Sequence, residues 1–290
     1  MKISVIVTNY NGQKLLQKFL AEVFKNSPEA DEIIVTDDAS KDGSIKYLKN
    51  IQSKYSKLKI IHHTKNIGFA ANTNFAVNKA SGDYIVLLNN DINPQKNYIK
   101  NSLNHFKDEK VFGVGFAEIG NENWARIFWK GGYIQYNQGK PTNKSHITGW
   151  LSGGSSIIRK EYYLKLGGFD TIYKPFYSED VDLGYRALKS GYKLIWQPKA
   201  RVFHQHESTI SRFPKRFTDY VKERNRLLVV LRNITDPKLL LENKLAIFSR
   251  CLLGPNYLKI IRAAKKEIRK HPKAVVFPVL TDKEIFSLFY

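Results

Sequence analysis

The fold is decided by Asp83-Tyr84-Ile85-Val86-Leu87-Leu88-Asn89-Asn90-Asp91, a stretch with a run of five apolar residues. Such a run predicts a strand buried on both faces, as in a parallel sheet covered by helices. The run stops at Asn89, which would put Asp91 at the carboxyl end of the strand, where open α/β sheets bind ligands. Because Asn and Asp are also common turn residues, a simple turn is the alternative interpretation.

Length and composition predict a folded intracellular protein. The chain has 290 residues, enough for one large domain or a domain with an appendage, and its 42% hydrophobic content indicates a packed core. The one cysteine, Cys251, excludes an intramolecular disulfide framework. Thr8-Asn9 end the first apolar run too early for a signal peptide, and no stretch reaches the roughly 18 to 20 apolar residues that span a bilayer. We therefore expect a cytoplasmic protein.

The chain is strongly basic. Its 47 Lys and Arg against 26 Asp and Glu give a formal net charge of +21. Such a surface attracts polyanions, whether nucleic acid, anionic lipid or a phosphorylated substrate, and the charge does not choose among them. Charge density is higher towards the C-terminus, where residues 201–290 hold 19 basic and 8 acidic side chains.

Strand and helix patterns alternate through the first third of the chain. Apolar strand patterns occupy residues 3–7, 32–35, 58–62 and 84–88, and helical patterns with apolar residues on one face occupy 15–23, 47–51 and 69–80. Strands alternating with helices of this length predict βαβ units and a mainly parallel sheet.

Two carboxylates follow the second strand. Asp37 and Asp38 stand where nucleotide-binding sheets place an acidic group that contacts the base or ribose. The glycine fingerprint of dinucleotide-binding proteins and the phosphate loop of P-loop NTPases are both missing from the sequence, which argues against those classes. A helix N-cap followed by a turn is the alternative interpretation of the two aspartates.

Six motifs, in order, resemble those of family 2 glycosyltransferases with the GT-A fold. They are residues 5–11, 34–44 (with Asp37-Asp38-Ala39-Ser40), 66–72 and 88–91 (Leu88-Asn89-Asn90-Asp91), then 167–170 with 177–186 (Glu179-Asp180), and 198–204. The resemblance covers about residues 1–210. It implies a Rossmann-like α/β catalytic domain, with a nucleotide-sugar-binding half over about 1–110 and an acceptor-binding half over about 111–210. Residues 211–290 would form a basic helical extension.

The resemblance also implies a reaction. Such enzymes transfer a sugar from a nucleotide-diphosphate sugar to an acceptor hydroxyl with inversion, and a divalent metal, Mn²⁺ or Mg²⁺, suits the departing diphosphate. A UDP- or dTDP-sugar is the favoured donor, and a GDP-sugar stays open. The acceptor would be a glycan or lipid-linked glycan in bacterial cell-surface polysaccharide or lipopolysaccharide assembly, and rhamnosyltransferases are among the similar enzymes.

The family's metal ligands have two counterparts here. Asp91 matches the last carboxylate of the family's Asp-x-Asp motif, but Asn89 takes the first acidic position, so weaker metal binding is expected. His204 matches the family's histidine, and His206 is the alternate because side chains two residues apart on a strand face the same side. A surface histidine pair without metal is the other interpretation.

The base is assigned in the same way. Asp180 corresponds to the second residue of the family's Glu-Asp pair and would take the hydroxyl proton if it lies within hydrogen-bond reach. Glu179, the other predicted catalytic residue, would orient the acceptor or the local backbone. Out of this context, acidic residues at a helix start are ordinary complements of the helix dipole.

The remaining contacts are also carried over from the resemblance. The predicted nucleotide-sugar-binding residues are Thr8, Asn9, Tyr10, Asp37, Asp38, Asn66, Gly68, Asn89, Asn90 and Asp91. The predicted acceptor-binding residues are Trp150, Gly153, Gly154 and Glu179. Adjacent glycines let a ligand approach the backbone and Trp150 offers a face to a sugar ring, although a loop with a packed tryptophan would look the same. Residues 113–147 are interpreted as an acceptor-side insertion without assigned roles.

Beyond Ser211 the pattern becomes helical and basic. The second of three predicted helices starts at Asp236-Pro237 and ends at Gly254-Pro255, and the third, over about 258–270, is a basic amphipathic helix. Such a helix is a candidate for peripheral contact with an anionic membrane at its cytosolic face. A solvated basic face packed on the catalytic domain is the alternative.

Two other classes of function are compatible with parts of the sequence. A nucleic-acid-binding protein would explain the charge, but no RNA- or DNA-binding signature is present, and no specific nucleic acid is expected. A non-catalytic sugar-nucleotide or glycan-binding module would bind without turnover. The presence of both Asp91 and Asp180 favours the enzyme.

Overall fold

The structure is a computed structural model that describes residues 1–121, 123–206, 213–254, 257–272 and 275–290. The predicted division at residue 210 and the predicted helix stop at Pro255 lie outside the described residues. Among the described residues, no helix is long and apolar enough to cross a membrane.

A single sheet forms the centre of the molecule. The strands are β1 (Ile3–Asn9), β2 (Glu32–Asp37), β3 (Leu58–His62), β4 (Tyr84–Asn89), β5 (Ile92–Pro94), β6 (Val111–Glu118), β7 (Ala125–Lys130), β8 (Tyr133–Gln138), β9 (His146–Ile147), β10 (Ser155–Arg159) and β11 (Lys193–His204). The sheet order is β3-β2-β1-β4-β10-β6-β11-β5, with β9 paired to β11, while β7 and β8 form a separate hairpin.

The sheet has a parallel half and a mixed half. Strands β1 to β4 are all parallel, whereas β10 runs antiparallel to both β4 and β6. The predicted α/β fold is confirmed, and β3 has the predicted bounds. Strands β6 and β10 were not predicted. Glycines interrupt the pattern of β6, where an added Cβ at Gly113 would lie 2.6 Å from a side-chain carbon of Leu151.

The helices pack on both faces of this sheet. They are α1 (Gln13–Asn26), α2 (Ser44–Ile51), α3 (Phe69–Lys79), α4 (Lys100–Leu103), α5 (Lys160–Lys165), α6 (Glu179–Lys189), α7 (Lys215–Asn233), α8 (Pro237–Leu253), α9 (Tyr257–Lys270) and α10 (Asp282–Ser287). Asp236 caps α8 as predicted, with its side chain accepting from the backbone of Lys238 and Leu239. Helix α10 was not predicted, although Thr281 and Glu284 form a capping box that the sequence displays.

Alternate residues of the central strands pack into two hydrophobic cores, one on each face of the sheet. Val86 and Leu88 of β4 face the core beneath α1 and α2, whereas Ile85 and Leu87 face the core shared with α3 and α6. Leu227 and Leu228 of α7 are completely buried in this second core. The apolar face of α9 packs there too, which matches the alternative of a basic helix packed on the catalytic domain. The first extension helix thus shares a core with the catalytic elements, and the division at residue 210 stays a prediction.

We expect Leu228→Ala to lower the free energy of unfolding by about 2–5 kcal/mol, because it leaves a cavity in the shared core. Leu241→Ala is the matched control, since Leu241 of α8 is 57% exposed and the change should cost less than about 0.5 kcal/mol. Urea denaturation measures both values. Equal effects of the two substitutions would show that α7 is not part of the core.

Candidate active site

The carboxyl ends of the parallel strands form one edge. Asn9 at the end of β1 is in register with Asp37 at the end of β2, and Thr8 is in register with Asn89 at the end of β4. Asn90 and Asp91 follow β4 directly. The strand topology therefore gathers most of the predicted nucleotide-sugar-binding side chains along this edge.

A chain of polar contacts joins the ends of four strands. Asn90 Nδ2 donates to Asn9 Oδ1 at 2.7 Å, and Asn9 Nδ2 donates to Asp37 Oδ2 at 2.7 Å. His62 Nδ1, at the end of β3, lies 3.2 Å from Asp37 Oδ1. These contacts fix the side-chain orientations along the edge before any ligand binds.

Asp37 lies beneath the surface of this edge. Its carboxylate is completely buried and also accepts from the Ser40 backbone at 2.9 Å and the Ser40 hydroxyl at 2.6 Å. Tyr10, next to Asn9, is 38% exposed. A contact between Asp37 and a nucleobase stays a prediction. In the structure, Asp37 accepts hydrogen bonds from Asn9 and Ser40 and so fixes their positions.

Asp38 holds the loop before α3. Its two carboxylate oxygens accept from the backbone of Ile67 at 2.7 Å and of Gly68 at 2.8 Å. Gly68 has a φ of +88°, which favours glycine. Because α2 begins after Gly43 without a side-chain cap, neither Asp37 nor Asp38 caps that helix. The predicted positions Asn66 and Gly68 are thereby brought to the same edge.

His204 lies between two carboxylates. Its Nε2 lies 3.1 Å from Asp91 Oδ1, and its Nδ1 lies 3.1 Å from Glu118 Oε1. The pairing of β5 with β11 sets His204 opposite Ile92, the residue after Asp91. Glu118 ends β6, the parallel neighbour of β11. Three strands from different parts of the chain therefore build this cluster.

His206 lies beside this cluster, but β11 ends at His204 and His206 has a φ of +55°, so the strand alternation behind its prediction does not apply. Its ring stacks on that of His204 with centroids 3.9 Å apart, and its Nε2 lies 3.5 Å from Glu118 Oε2. Ligand atoms of Glu118, His204 and His206 all fall within 4.8 Å of one another. His206 is more exposed than His204, with 63% of its side chain accessible against 15%.

The residues of this cluster fit a divalent cation. Asp91 Oδ1 is buried, and no donor among the described residues makes an aligned hydrogen bond to it. Carboxylate oxygen and imidazole nitrogen are donors that Mn²⁺ accepts, and a carboxylate behind a ligating histidine is a common way to orient its ring. Asp91 and His204 would hold the ion, with Glu118 orienting His204.

The two carboxylates also act on the charge of the histidine. Burial by itself would lower the pKa of His204, but the flanking Asp91 and Glu118 raise it to about 9. The imidazole therefore balances negative charge in this cluster. A bound cation would take the place of that proton, because metal ligands must be deprotonated.

Glu179 and Asp180 start α6 and are half-buried. Burial raises the pKa of both, that of Glu179 to about 8 with a further contribution from the charge of Asp180, and that of Asp180 to about 6. Asp180 Oδ1 accepts from the Val181 backbone at 2.8 Å, and the nearby backbone of Gly153 acts to lower the pKa of this carboxylate. A carboxylate with a raised pKa is a better proton acceptor than an exposed one.

The two adjacent glycines lie between the two halves of the site. An added Cβ at Gly154 would lie 2.4 Å from the Asn89 side chain, and one at Gly153 would lie 3.1 Å from the ring of Phe169. The glycines thus permit close packing against neighbouring side chains. The backbone of Gly153 lies near the Asp180 carboxylate, and Gly154 contacts Asn89.

Trp150 is fixed by the same segment. A Cβ at Gly184 of α6 would lie 2.8 Å from Trp150 Cα, so the helix and the tryptophan backbone touch. The indole ring is half-buried and meets the ring of Tyr136 edge-on, with centroids 4.9 Å apart. Tyr136 belongs to the β7–β8 hairpin and is 62% exposed. An aromatic pair therefore flanks the predicted acceptor side.

The loop that leads into Glu179 is held from α7. The completely buried Asn225 directs its Nδ2 to the carbonyl oxygens of Tyr173, Phe176 and Tyr177, at 2.7, 2.9 and 2.8 Å. Tyr177 and Ser178 both have positive φ angles, of 70° and 80°. An unusual backbone of this kind persists only when surrounding contacts impose it.

Comparison with known proteins assigns the family. The family model described as "Glycosyl transferase family 2" matches residues 4–167, more than half of the chain. The chain belongs to glycosyl transferase family 2. Residues Asp91, Asn66 and Gly68 lie inside the match, whereas Glu179, Asp180 and His204 lie beyond it.

Relatives of this glycosyltransferase have related names. The putative glycosyltransferase EpsE of Bacillus subtilis (strain 168) is 27% identical over 199 residues, which cover 66% of this chain and 68% of EpsE. The N-acetylglucosaminyl-diphospho-decaprenol L-rhamnosyltransferase of Mycobacterium tuberculosis (strain ATCC 25618 / H37Rv) is 22% identical, over 73% of this chain and 78% of the relative. The pre-mycofactocin glycosyltransferase of the same strain is matched over a smaller share, 53% of this chain and 33% of its own length.

Solved structures with low sequence identity share the fold. GalNAc-T7 with UDP, GalNAc and Mn²⁺ has a TM-score of 0.60 at 17% identity, over 84% of this chain and 55% of that chain. The mannosyltransferase PcManGT from Pyrobaculum calidifontis with GDP-Man and Mn²⁺ has a TM-score of 0.60 at 17% identity, over 91% and 75%. These similarities confirm the predicted GT-A fold.

Two residues of the site of this glycosyltransferase were missed by sequence reasoning. Glu118 lies in a segment interpreted as a variable insertion, and its place beside His204 follows from the pairing of β6 with β11. Asn225 lies in a helix assigned to a separate extension. Asn225 follows Val221 by four residues and precedes Leu228 by three, so helical spacing puts an amide on the apolar face of α7. That was the available signal, because a buried amide needs partners.

We expect Asn225→Ala to lower the free energy of unfolding by about 2–3 kcal/mol, since it removes a buried donor from three carbonyl groups. The hydrogen bonds from Asn225 to these carbonyl groups set the conformation of the loop before Glu179. We therefore expect kcat to fall as well, at temperatures where the variant is fully folded. Asn78→Ala is the matched control, removing an exposed amide that donates to the Asn74 carbonyl within α3. Thermal unfolding and steady-state kinetics test this, and an unchanged kcat would contradict the positioning role.

Proposed function

We propose that this glycosyltransferase moves a hexosyl or deoxyhexosyl group from a nucleotide-diphosphate sugar to a hydroxyl of a glycan or lipid-linked glycan, with inversion. The observation that carries the proposal is the pairing of two chemically distinct centres. Asp91 and His204 meet at the strand ends as the proposed cation-binding pair, and the Gly153–Gly154 segment lies between that edge and the half-buried Asp180.

The donor would bind along the strand-end edge. The side chains of Asn9 and Asn90 are already oriented by the polar chain that ends at Asp37, and the loop with Gly68 is fixed by Asp38. Preorganised groups lose little entropy when a ligand binds. Mn²⁺ or Mg²⁺, held by Asp91 and His204, would supply positive charge to the departing diphosphate.

Asp180 is the proposed base. The acceptor oxygen forms a bond to the anomeric carbon while the bond from that carbon to the diphosphate breaks, and the hydroxyl proton passes to the Asp180 carboxylate. One displacement of this kind inverts the anomeric carbon. Glu179, whose pKa is raised further, would stay protonated at neutral pH and donate a hydrogen bond to the acceptor.

The names of relatives support the reaction class and a setting. An L-rhamnosyltransferase acting on a decaprenol-linked acceptor is among the relatives, and the structural neighbours were solved with UDP and Mn²⁺, with GDP-Man and Mn²⁺, or with UDP-GlcNAc. We propose cell-surface polysaccharide assembly at the cytosolic side of the membrane. A UDP- or dTDP-sugar is the preferred donor in this proposal, and the neighbours keep a GDP-sugar open.

Ligand-dependent unfolding tests the donor site. A nucleotide-diphosphate sugar at 100 times its Kd should stabilise the protein by about 2.7 kcal/mol, raising Tm by several degrees. We expect that rise only with Mn²⁺ or Mg²⁺ present, and we expect Asp91→Ala to abolish it. Asp108→Ala, which removes an exposed carboxylate, is the control and should leave the rise intact. A rise that persists in EDTA and in Asp91→Ala would refute the metal site.

The pH dependence of turnover tests the base. Because burial raises the pKa of Asp180 to about 6, its active, ionised form is lost as pH falls through about 6, above the usual carboxyl range near 4. We expect kcat/KM to decline below about pH 6 and Asp180→Asn to reduce kcat about 100-fold or more. Donor-dependent stabilisation should survive that substitution. A flat profile down to pH 5 would contradict the assignment.

A further inference from the structure

One face of α8 exposes a row of large apolar side chains. Leu241, Leu245, Phe248 and Leu252 are 57%, 61%, 64% and 71% exposed. Their spacing of four, three and four residues puts them on one side of the helix, where they form a continuous apolar stripe. Large exposed apolar patches mark interaction sites in soluble proteins.

The opposite face of α8 is anchored to the protein. Asn243 is almost fully buried and donates from Nδ2 to the backbone carbonyl of Gly132 at 2.8 Å, in the turn of the β7–β8 hairpin. Arg250 pairs with Glu223 of α7 and lies over the ring of Tyr133. These contacts fix the rotation of α8 about its axis, so the apolar stripe cannot turn inward.

Helices α8 and α9 are strongly cationic. Helices α8 and α9 together carry nine basic and two acidic side chains. Both acidic side chains have partners within the protein: Glu242 accepts from the indole of Trp129 at 2.6 Å, and Glu267 lies 3.9 Å from His271. The basic residues Lys238, Lys244, Lys259, Arg262, Lys265, Lys266, Arg269 and Lys270 are exposed.

The apolar stripe and the basic side chains together favour one kind of partner over others. A second copy of the chain would bring two strongly basic faces together, and four side chains on one helix fall short of the roughly 800 Å² per partner that stable interfaces bury. An anionic bilayer complements both features, because lipid headgroups neutralise the lysines while the acyl boundary takes up leucine and phenylalanine.

We infer that α8 docks the enzyme on an anionic phospholipid surface, with the stripe of Leu241, Leu245, Phe248 and Leu252 entering the headgroup boundary. Helix α9 stays packed on the protein and contributes charge. With 17 residues, α8 lies in the plane of the interface and does not span the bilayer. Lipid binding needs neither donor nor acceptor, so this inference and the proposed reaction can fail independently.

Docking on α8 would place the acceptor side of the enzyme near lipid. Helix α8 packs on the β7–β8 hairpin, and the same hairpin carries Tyr136, which meets Trp150. Contacts therefore run from the buried face of α8 through the hairpin to Trp150. A glycan attached to a lipid in the same leaflet would approach from this side.

The test is co-flotation of the full-length protein with vesicles of phosphatidylglycerol and phosphatidylcholine, compared with phosphatidylcholine alone. We expect binding to the anionic vesicles that weakens, without disappearing, as salt screens the lysines. Leu245→Gln with Phe248→Ser should reduce the partition coefficient about tenfold or more, since each exposed apolar side chain favours burial. Lys244→Glu should weaken binding at low salt only.

Matched controls separate the stripe from general effects. Leu164→Gln changes a side chain that is 40% exposed on α5, and Lys14→Glu makes the same charge change on α1. Both should bind vesicles nearly as the natural protein does, and all variants should keep their Tm. Absence of binding, or equal binding by the stripe and control variants, would overturn the inference. So would a stable dimer, seen by sedimentation, that Leu245→Gln with Phe248→Ser dissociates.

Discussion

A buried carboxylate on α6 joins this helix to α7. Asp182, in the first turn of α6, accepts from Arg186 at 2.7 Å, from the Tyr173 hydroxyl at 2.7 Å and from Asn233 of α7 at 2.8 Å. Burying an ion pair costs several kcal/mol of desolvation unless further hydrogen bonds satisfy both ions. Arg186 meets that condition by donating also to the carbonyl oxygens of Leu166 and Gly168. Helix α6, which presents Glu179 and Asp180, is therefore tied to α7 and to the glycine turn before it.

The parallel half of the sheet and its ligand edge were predictable from sequence. The apolar run 84–88 and the strand-helix alternation indicated β1 to β4, and parallel strands of this kind necessarily bring their carboxyl ends to one edge. Asp91 and His204 are far apart in the chain and meet only because β5 pairs with β11. From sequence, only the family resemblance predicted that these two residues belong to one site.

The mixed half of the sheet was harder to predict, because its sequence signals are not local. Strand β10 is short and starts with Ser155-Ser156, and the glycines of β6 are there to admit Leu151, a contact that no window of sequence displays. Glu118 and Asn225 escaped notice for a related reason. Each acts on a segment remote in the chain, the first on His204 and the second on the loop before Glu179. Buried polar partners across such distances are set by topology and not by periodicity.

The turn of the β7–β8 hairpin has a consequence for how such enzymes diverge. Gly132 has a φ of +78°, and a Cβ there would lie 2.7 Å from the Ala246 side chain of α8. The packing surfaces of the hairpin and the helix are therefore closely complementary. A substitution in one would require a compensating substitution in the other. A chimera that borrows the hairpin of a relative would have to borrow α8 as well. The hairpin and the helix beneath it would then be inherited as one module.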